Sequence, residues 1–499
     1  MKYLMLLWVA LGLWSCNNKV EESIPPNILW IYVEDISPDL GCYGNELAVT
    51  PRLDQLALEG VLFTNAISPA PVCSPLRSAL ITGLMHTTIG VHNHHSSRTQ
   101  ASAIYLPDTI STLPELFKEA GYFTFNSGKD DYNFWYQRED LYSGDYTEHA
   151  LYGKSGRPID WKARTDPDQP FFGQIQLRGG KHVFREFSDK ITNSVPRDGI
   201  EMPPYYPGDS IFVEEWARYL ETHQVTDQEV GEILDRLQQD GVLENTVVFF
   251  FADHGMRGLR HKQFLYDGGL RVPLIMADFR KAGSATGLKN DHLVNLLDIS
   301  ATTLALAGIP LPNYLAGKDL LAEDYQPHEY IISARDRCDF TIDRIRSVRS
   351  TQYKYIRNFL TDRPLMQPNY RDEWESTKYY RKLHEEGQLS DLQAYIFGDR
   401  VPEELYDLVN DPHETINLID SPQVKAELVT YRQVLETWIE QTDDQGQYAE
   451  NEEGLKYMLG IWGEQAVNPE YDQIRESYPS LSGSLNDKRF GEPQLIEIK

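Results

Sequence analysis

The sequence predicts an α/β protein: a doubly wound sheet flanked by helices, followed by a smaller α+β subdomain that contains an antiparallel sheet. Short apolar runs such as NILWIYV (27–33) have the length and composition of strands buried on both faces. Segments with helical periodicity alternate with these runs, which is typical of a parallel sheet with helical crossovers. After about residue 325 the pattern changes, so we place a larger domain at 24–325 and a smaller one at 326–499.

The larger domain opens with this strand, which ends at an acidic pair. A helix follows over 50–60, with Thr50 as its N-cap, a proline in the first turn and a glycine as its stop signal. The segment CSPLRSALITG (73–83) predicts a helix of about three turns. Cys73 therefore stands at the N-terminus of that helix.

Two further helix–strand units follow. STLPELFKEAGYFTFNSGK (111–129) predicts a helix and then a strand. In the second unit, Thr226 and Glu229 form a capping box at the start of a helix that ends at Gly241, and an apolar strand then ends at Asp253-His254. The remaining predicted elements are a strand over 272–277 and a helix over 292–308.

The smaller domain shows weaker patterns. EYIISARDR and RIRSVRSTQYKYIRNF alternate polar and apolar residues, as antiparallel strands do. A Tyr- and Glu-rich stretch over 363–400 lacks clear periodicity, and a helix is expected from Ser421 to about Thr442. The polar stretch after Asp443, which contains Gly and Pro, is predicted to wrap the surface.

The N-terminus, MKYLMLLWVALGLWSCNN, predicts a signal peptide over residues 1–16, because its apolar run is too short to span a bilayer. LWSC resembles a bacterial lipobox, which predicts lipidation of Cys16 and an exported lipoprotein of the outer membrane, at the periplasm or cell surface. The alternative is ordinary cleavage and a soluble exported protein.

Charge and cysteine content limit the partners and the redox chemistry. The formal net charge of −28 argues against binding to nucleic acid and to anionic lipid, so only a lipid anchor would bring the protein to a membrane. An anionic substrate would need a local cationic pocket. Of the four cysteines, Cys16 belongs to the signal, and Cys42 and Cys338 either form a disulfide or stay free.

Two strand ends predict a metal site. Glu34-Asp35 and Asp253-His254 each follow a buried strand, at the sheet edge where such folds bind ligands. Three carboxylates and one imidazole suit a hard cation such as calcium better than zinc. One acidic pair alone would more often cap a strand, whereas two pairs at the same edge favour a metal.

Cys73 and Arg77 predict an anion site. Cys73 lies where the helix dipole and unpaired N–H groups attract anions, and Arg77 lies one turn further on. This arrangement suits an oxyanion such as sulfate or phosphate. The alternative is a buried cysteine beside an arginine that makes a local salt bridge.

These segments resemble a known family. CSPLR is similar to the Cys-x-Pro-x-Arg signature of type I, formylglycine-dependent sulfatases, and LITG continues it. Segments along nearly the whole chain are similar to other motifs of the family: NILWIYVEDISPDLGCYGN, GYFTFNSGK, FFFADHG, RSVRSTQYKYIRNF and ELYDLVNDPHETINL. GVHNHHSSR, GKDDYNF, QLRGGKH and ARDRCDFTIDRIRSVR are nearest to bacterial relatives of the sulfamidase (N-sulfoglucosamine sulfohydrolase) branch. The resemblance implies an alkaline-phosphatase-like mixed sheet and a carbohydrate sulfatase that acts in polysaccharide degradation.

The resemblance also implies a mechanism. Cys73 would be oxidised to formylglycine (3-oxoalanine) by a formylglycine-generating or anaerobic maturase enzyme. One hydroxyl of the hydrated aldehyde would attack sulfur and the second would then expel sulfate. One Ca²⁺ would be held by Glu34, Asp35, Asp253, His254 and residue 73. Arg77 would hold the diol, Lys129 and Lys262 would neutralise sulfate oxygens, and His182 would protonate the leaving oxygen.

Some positions depart from the family pattern. Glu34 stands where Asp is commoner, and Leu76 replaces a common Ser. Asp131 stands where a His would assist formylglycine, so the proton acceptor is open between Asp131, His86 and His261.

The expected substrate is a sulfated polysaccharide or oligosaccharide that carries sulfate esters or N-sulfates, of the ulvan or the glycosaminoglycan type. Candidate substrate-binding residues follow the signature helix or lie towards the smaller domain: His92, His94, His95, Arg98, His261, Arg335, Asp336, Arg337, Asp339 and Arg344.

Two other functions remain open. A phosphomonoesterase or phosphodiesterase of the same superfold would need two zinc ions, for which the sequence offers few histidines. A non-catalytic glycan-binding lipoprotein would not need the complete set of Cys73, Lys129, His182 and Lys262.

Overall fold

The computed structural model describes residues 25–143, 159–184, 190–281 and 287–481. The larger of two sheets in these residues contains β1 (Asn27–Val33), β2 (Val61–Ile67), β3 (Phe123–Ser127), β4 (Phe171–Leu177), β5 (Thr246–Ala252), β6 (Arg271–Asp278) and β7 (Leu288–Asn295). Their spatial order is β3-β4-β1-β5-β6-β2-β7. β3, β4, β1 and β5 are parallel, and β6 runs against both of its neighbours, β5 and β2. The predicted mixed sheet is confirmed.

The centre of this sheet is the main hydrophobic core. Every residue of β1 and of β5 is buried, because strands lie on both sides and other elements cover both faces. The Trp30 ring packs edge-on against Phe172 of β4 and Phe251 of β5, with ring centroids 5.2 and 5.6 Å apart. This rigid centre fixes the strand ends that follow it.

The smaller sheet contains β8 (Ile331–Arg335), β9 (Ile345–Arg349), β10 (Tyr353–Asn358) and β11 (Glu403–Asp407). The order is β11-β10-β9-β8 and each pair is antiparallel, as predicted. Helix residues Leu428 and Leu435 pack against Val348 and Tyr355 of this sheet.

The helices occur in both parts of the chain. In chain order they are α1 (Pro51–Glu59), α2 (Cys73–Thr82), α3 (Leu113–Glu119), α4 (Arg138–Leu141), α5 (Ser210–Gln239), α6 (Asp267–Leu270), α7 (Leu297–Leu306), α8 (Glu375–Glu385), α9 (Asp391–Ala394), α10 (Lys425–Thr442), α11 (Glu452–Trp462) and α12 (Asp472–Ser477). No helix in these described residues is both long and apolar enough to cross a membrane. The predicted signal peptide and Cys16 lie outside the described residues.

Two predicted helix starts are wrong. The capping box at Thr226 and Glu229 lies inside α5, which begins 16 residues earlier at Ser210. Thr226 is buried there and donates its hydroxyl to the carbonyl of Thr222, so a threonine and a glutamate at capping spacing do not by themselves begin a helix. The helix predicted over 292–308 is a strand up to Asn295, and the helix begins only at Leu297.

Thr50 occupies the predicted N-cap position of α1, but its side chain does not cap the helix. Asp227 of α5 does this instead, because its carboxylate accepts hydrogen bonds from the backbone N–H groups of Arg52 and Leu53 at 2.9 and 2.8 Å. A tertiary contact therefore replaces the local one.

Two C-terminal expectations also need correction. The stretch over 363–400 contains α8 and α9. The stretch after Asp443 does more than wrap the surface, since Met458, Leu459 and Trp462 of α11 bury Phe340 in a separate hydrophobic cluster. Cys42, Cys73 and Cys338 are free thiols, so the disulfide alternative is excluded in this structure.

Candidate active site

The sheet gathers the predicted site residues at one edge. β3, β4, β1 and β5 are adjacent and parallel, so their carboxyl ends meet there. Each end is followed by predicted residues, which are Lys129 after β3, His182 after β4, Glu34 and Asp35 after β1, and Asp253 and His254 after β5. β2 runs in the same direction as these strands, and five residues separate its end from Cys73, the first residue of α2. Residues far apart in sequence therefore form one cluster.

Cys73 is buried within this cluster. Its Sγ lies 3.4 Å from Nε2 of His94. Burial raises the pKa of the thiol, but the charges of Lys129 and His94 and a contact with His254 outweigh both burial and Asp131, so the pKa lies well below its ordinary value. Residue 73 thus faces the predicted sulfate-binding cations on one side and the predicted metal ligands on another.

Arg77 is fixed by four groups one turn along α2. Its guanidinium donates to the carbonyl of Lys129 at 3.0 Å, to Oε1 of Gln176 at 2.7 Å and to Oε1 of Glu34 at 3.3 Å. The same group lies 4.2 Å from the centre of the Tyr32 ring. The arginine is buried and held in one orientation, which suits a residue that positions the side chain of residue 73.

Glu34 is surrounded by cations. Its carboxylate accepts from Lys129 at 2.6 Å, from Lys181 and from Arg77. Burial raises the pKa of Glu34, but Lys129, Lys181 and Arg77 together hold it well below its ordinary value. Glu34 is therefore a buried anion that organises three positive side chains.

Asp35, Asp253 and His254 form a compact group. Their ligand atoms all lie within 4.8 Å of one another and all three residues are buried. Oδ1 of Asp253 accepts from the backbone N–H of Asp35 at 3.1 Å and of His254 at 2.9 Å. In the described part of the chain, Oδ2 of Asp253 has no hydrogen-bond partner, and it lies 3.3 Å from Nε2 of His254. Two ligands at right angles on Ca²⁺ would be about 3.4 Å apart, so these residues fit a hard cation.

Lys262 lies beside this group. Its Nζ donates to Oδ1 of Asp35 at 2.8 Å. Burial raises the pKa of Asp35, but Lys262 and Lys181 lower it to about 2, so the carboxylate stays charged. Burial lowers the pKa of Lys262, but the charges of Asp35, Cys73 and Asp253 all raise it, so the lysine lies close enough to the predicted metal group and to residue 73 to interact with both.

Several residues around Cys73 have left-handed backbones that side chains rarely adopt. The φ angles are 57° at Asp35, 58° at His95, 56° at Asp131 and 48° at Asp339. Such conformations cost of order 1–3 kcal/mol each and concentrate at functional sites. Here they turn four polar side chains towards one cluster.

His182 lies in the short helical turn Gly179–Phe184 after β4. Its Nε2 is 3.2 Å from Oε2 of Glu229 on α5. Gly180 lets this turn approach β1, because its N–H donates to the carbonyl of Glu34 and a Cβ there would come within 2.1 Å of the carbonyl oxygen of Asp35. The predicted general acid is thus held at the correct sheet edge.

Three of the predicted substrate residues lie beside the cluster. His94 stacks on His95, with ring centroids 3.6 Å apart. His95 Nε2 is 3.2 Å from Oδ1 of Asp131, and Arg98 donates to the same oxygen. Burial lowers the pKa of His94, but Asp339, Cys338 and Cys73 raise it well above its ordinary value. Conversion of Cys73 to formylglycine would remove the contribution of the thiol to this rise.

Of the remaining predicted substrate residues, Asp339 contacts His94 within the cluster. Three others have partners outside it. Arg337 donates to both carboxylate oxygens of Glu450, at 2.6 and 2.7 Å, and Arg335 donates to Asp343 at 3.0 Å. The His261 ring packs edge-on against the Tyr205 ring, and its Nδ1 lies 2.6 Å from the carbonyl of Leu259. These side chains are buried, so their role in substrate binding stays a prediction.

The fold agrees with the comparisons to known proteins. The sulfatase family model matches residues 26–309. The chain belongs to the sulfatase family. An ulvan-active sulfatase of Formosa agariphila is 31% identical to it over 86% of this chain and 77% of its own length. The human N-sulphoglucosamine sulphohydrolase is 27% identical over 84% of this chain and 91% of its own length. The solved structure of a 2-O GAG sulfatase is 22% identical, covers 84% of this chain and 93% of its own, and superposes with a TM-score of 0.62.

This membership makes the protein a sulfuric ester hydrolase with the alkaline-phosphatase-like architecture. Sequence reasoning missed several of its site residues. One of them is Lys181, which binds Glu34 and lies four positions after the end of β4, so its place near the carboxyl end of a parallel strand is the signal that could have found it. Gln176 of β4 and Tyr32 of β1 were also missed, although both hold Arg77 in place. Side chains along a strand alternate between the two faces of the sheet, and this two-residue alternation is the signal that could have found them.

Proposed function

We propose that this sulfatase removes sulfate from sulfated polysaccharide or oligosaccharide, as sulfate ester or N-sulfate, in the degradation of ulvan or glycosaminoglycan. The observation that carries the proposal is the position of Cys73, at the start of α2 and within reach of Lys129, His94 and His254. The sulfated glycans named for the relatives support the substrate class.

Two groups complete the site in this proposal. A formylglycine-generating or anaerobic maturase enzyme converts Cys73 to formylglycine, and Asp35, Asp253 and His254, with Glu34, hold one Ca²⁺. The hydrated formylglycine supplies the nucleophilic hydroxyl, and the ion supplies Lewis acidity. Oδ2 of Asp253 is buried and has no hydrogen-bond partner among the described residues, and the group offers only carboxylate oxygens and an imidazole nitrogen as ligands, which supports the assignment of the metal.

The chain's own residues do the remaining work. Arg77 orients residue 73, because its other hydrogen bonds fix the guanidinium. Lys129 and Lys262 place ammonium groups where the charge on the sulfate oxygens develops, in a site from which burial excludes most water. His182, held by Glu229, gives a proton to the leaving oxygen or nitrogen of the sugar.

Export and anchoring belong to the same proposal. The lipobox-like segment places lipid on Cys16, so that the enzyme works at the periplasm or cell surface where polysaccharide fragments arrive. A Cys16→Ala variant should move from the membrane fraction to the soluble exported fraction. If the unchanged protein is already soluble, ordinary cleavage replaces the lipid anchor.

The test combines a chemical and a functional readout. Peptide mass analysis of active protein should find formylglycine at position 73, and defined sulfated oligosaccharides should lose sulfate. Cys73→Ala should lose this activity and keep its fold, whereas Cys42→Ala, a cysteine away from the site, should keep both. An intact thiol at position 73 of active protein, or faster turnover of an aryl phosphate than of an aryl sulfate, would exclude the proposal.

A further inference from the structure

Cys73, His94 and Asp339 form a continuous chain of polar atoms. Nε2 of His94 lies 3.4 Å from Sγ of Cys73, and Nδ1 of the same ring lies 3.0 Å from Oδ1 of Asp339. All three side chains are buried, and they come from three different parts of the chain: the first residue of α2, the segment after α2 and the segment after β8. The sequence suggested His94 and Asp339 only as substrate contacts.

We propose that His94 is the proton acceptor that restores the aldehyde of residue 73 after sulfate transfer, and that Asp339 is the residue that positions it. The inference rests on the proposed function, because it requires formylglycine at position 73. Sγ stands in for the position that the diol oxygens occupy after conversion. A ring nitrogen within 3.4 Å of that position reaches a hydroxyl proton directly once the ring is neutral. Against the effect of burial, Asp339 raises the pKa of His94, so the ring must first lose its own proton to water, and the neutral ring is then a stronger base than an ordinary histidine.

The ring has little freedom to turn away. Asp339 accepts from Nδ1, which leaves the opposite nitrogen, Nε2, directed at residue 73. The His95 ring stacks on the other face at 3.6 Å, and the backbone N–H of His94 donates to the carbonyl of Arg337 at 3.0 Å. Arg337 in turn donates to the carbonyls of His94 and Asp339, at 2.8 and 2.5 Å, and so holds the two segments together.

The three acceptors that the sequence suggested are placed less well. Asp131 already accepts from Arg98 and His95 and lies 3.0 Å from Lys129, so its oxygens are occupied by positive groups. The charged groups that act on His86 are Arg346, His92 and Asp444, none of which belongs to the cluster around Cys73. His261 lies among the rings of Tyr205, Tyr206 and Trp216.

The sulfated form of residue 73 breaks down by one proton transfer and the cleavage of one C–O bond. The sulfated residue 73 carries one free hydroxyl and one oxygen bound to sulfur. Nε2 of His94 takes the proton of the free hydroxyl, and the electron pair of that O–H bond becomes the second bond of the aldehyde C=O. The bond between this carbon and the sulfate oxygen breaks, and sulfate leaves with the electron pair of this broken C–O bond. Water then takes the proton from His94 and a second water hydrates the aldehyde.

The deciding experiment looks for the covalent adduct. Wild type and His94→Gln, both with formylglycine verified at position 73, are mixed with excess aryl sulfate, quenched in acid and analysed by peptide mass. The variant should release one equivalent of phenol in a burst, retain the sulfo group on the peptide of residue 73, and turn over about 10²-fold more slowly or worse. His292→Gln, an exposed histidine on β7, is the matched control and should show no adduct.

Two further variants separate chemistry from folding. In His94→Ala, added imidazole should restore turnover and remove the adduct, which a merely structural residue would not allow. Asp339→Asn should accumulate less adduct and should not respond to imidazole. A His94→Gln enzyme without burst or adduct, or an Asp131→Asn enzyme that accumulates the adduct instead, would overturn the inference. A thiol in place of formylglycine in active wild type would instead overturn the proposed function, so the two failures are distinguishable.

Discussion

Lys262 donates a hydrogen bond from Nζ to Oδ1 of Asp35 over 2.8 Å, although 227 positions separate them in the sequence. Both side chains are buried, and Asp35 also belongs to the compact group with Asp253 and His254. One carboxylate is therefore shared between a lysine predicted to contact sulfate and a predicted cation site. The two halves of the proposed catalytic machinery are joined through Asp35.

The first prediction concerns Lys262. Lys262→Met should lower kcat/KM for a sulfated oligosaccharide about 10²–10³-fold, because one preorganised positive group is lost from the reaction centre. The same variant should bind Ca²⁺ more tightly, since the ammonium no longer competes for Asp35. Steady-state kinetics and calorimetric titration check both effects. Lys289→Met, an exposed lysine on β7, is the control, and weaker Ca²⁺ binding in Lys262→Met would contradict the shared role of Asp35.

The second prediction concerns the ion. Addition of Ca²⁺ to chelator-treated protein should raise the melting temperature, because an ion that binds only the folded state stabilises it by mass action. Asp253→Asn should abolish the rise, since Oδ2 of this residue is buried without a hydrogen-bond partner among the described residues. Asp291→Asn, at an exposed position, should keep it. A rise of equal size in Asp253→Asn would exclude Asp35, Asp253 and His254 as the cation site.

Much of the fold could be predicted because its signals are local. The apolar strands β1 and β5, the helix that starts at Cys73 and the antiparallel strands β8–β10 each have a pattern within their own segment. The start of α5 could not be predicted in the same way, because Thr226 and Glu229 have capping spacing but lie inside a longer helix. Likewise the N–H groups of α1 are capped by Asp227, from a helix about 175 positions later.

The candidate site shows the same limit. The strand ends predicted which segments carry Asp35, Asp253 and Lys129, since parallel strands share one edge. Which partner each side chain finds depends on tertiary packing. Nothing local indicates that Glu34 binds three cations, or that Asp339, in the segment after β8, reaches His94. Pairs of this kind arise only when distant loops meet.

The third prediction follows from Glu34. Its folded pKa lies below the ordinary value of 4.5, so the stability it contributes is present above pH 4.5 and is lost as the pH falls through the folded pKa. In metal-free protein, urea unfolding should show this loss for wild type. Glu34→Gln should be less stable at pH 7 by about 3–5 kcal/mol, because the buried Arg77 and two partly buried lysines lose their anion, and should show a smaller loss in acid. Glu119→Gln, which is exposed, controls for a general charge effect. Equal acid slopes in Glu34→Gln and wild type would show that Glu34 does not carry this linkage.

The last prediction concerns Glu229, which lies 3.2 Å from Nε2 of His182. If His182 is the general acid, its help matters most for leaving groups that are strong bases, and the alkoxide of a sugar hydroxyl is a far stronger base than a nitrophenolate. Glu229→Gln should therefore slow release of sulfate from a sugar about tenfold or more and leave an activated aryl sulfate nearly unaffected. Glu232→Gln, one turn along α5 and exposed, should change neither rate. Equal losses on both substrates would mean that Glu229 only supports the local fold, since a structural defect does not distinguish one leaving group from another.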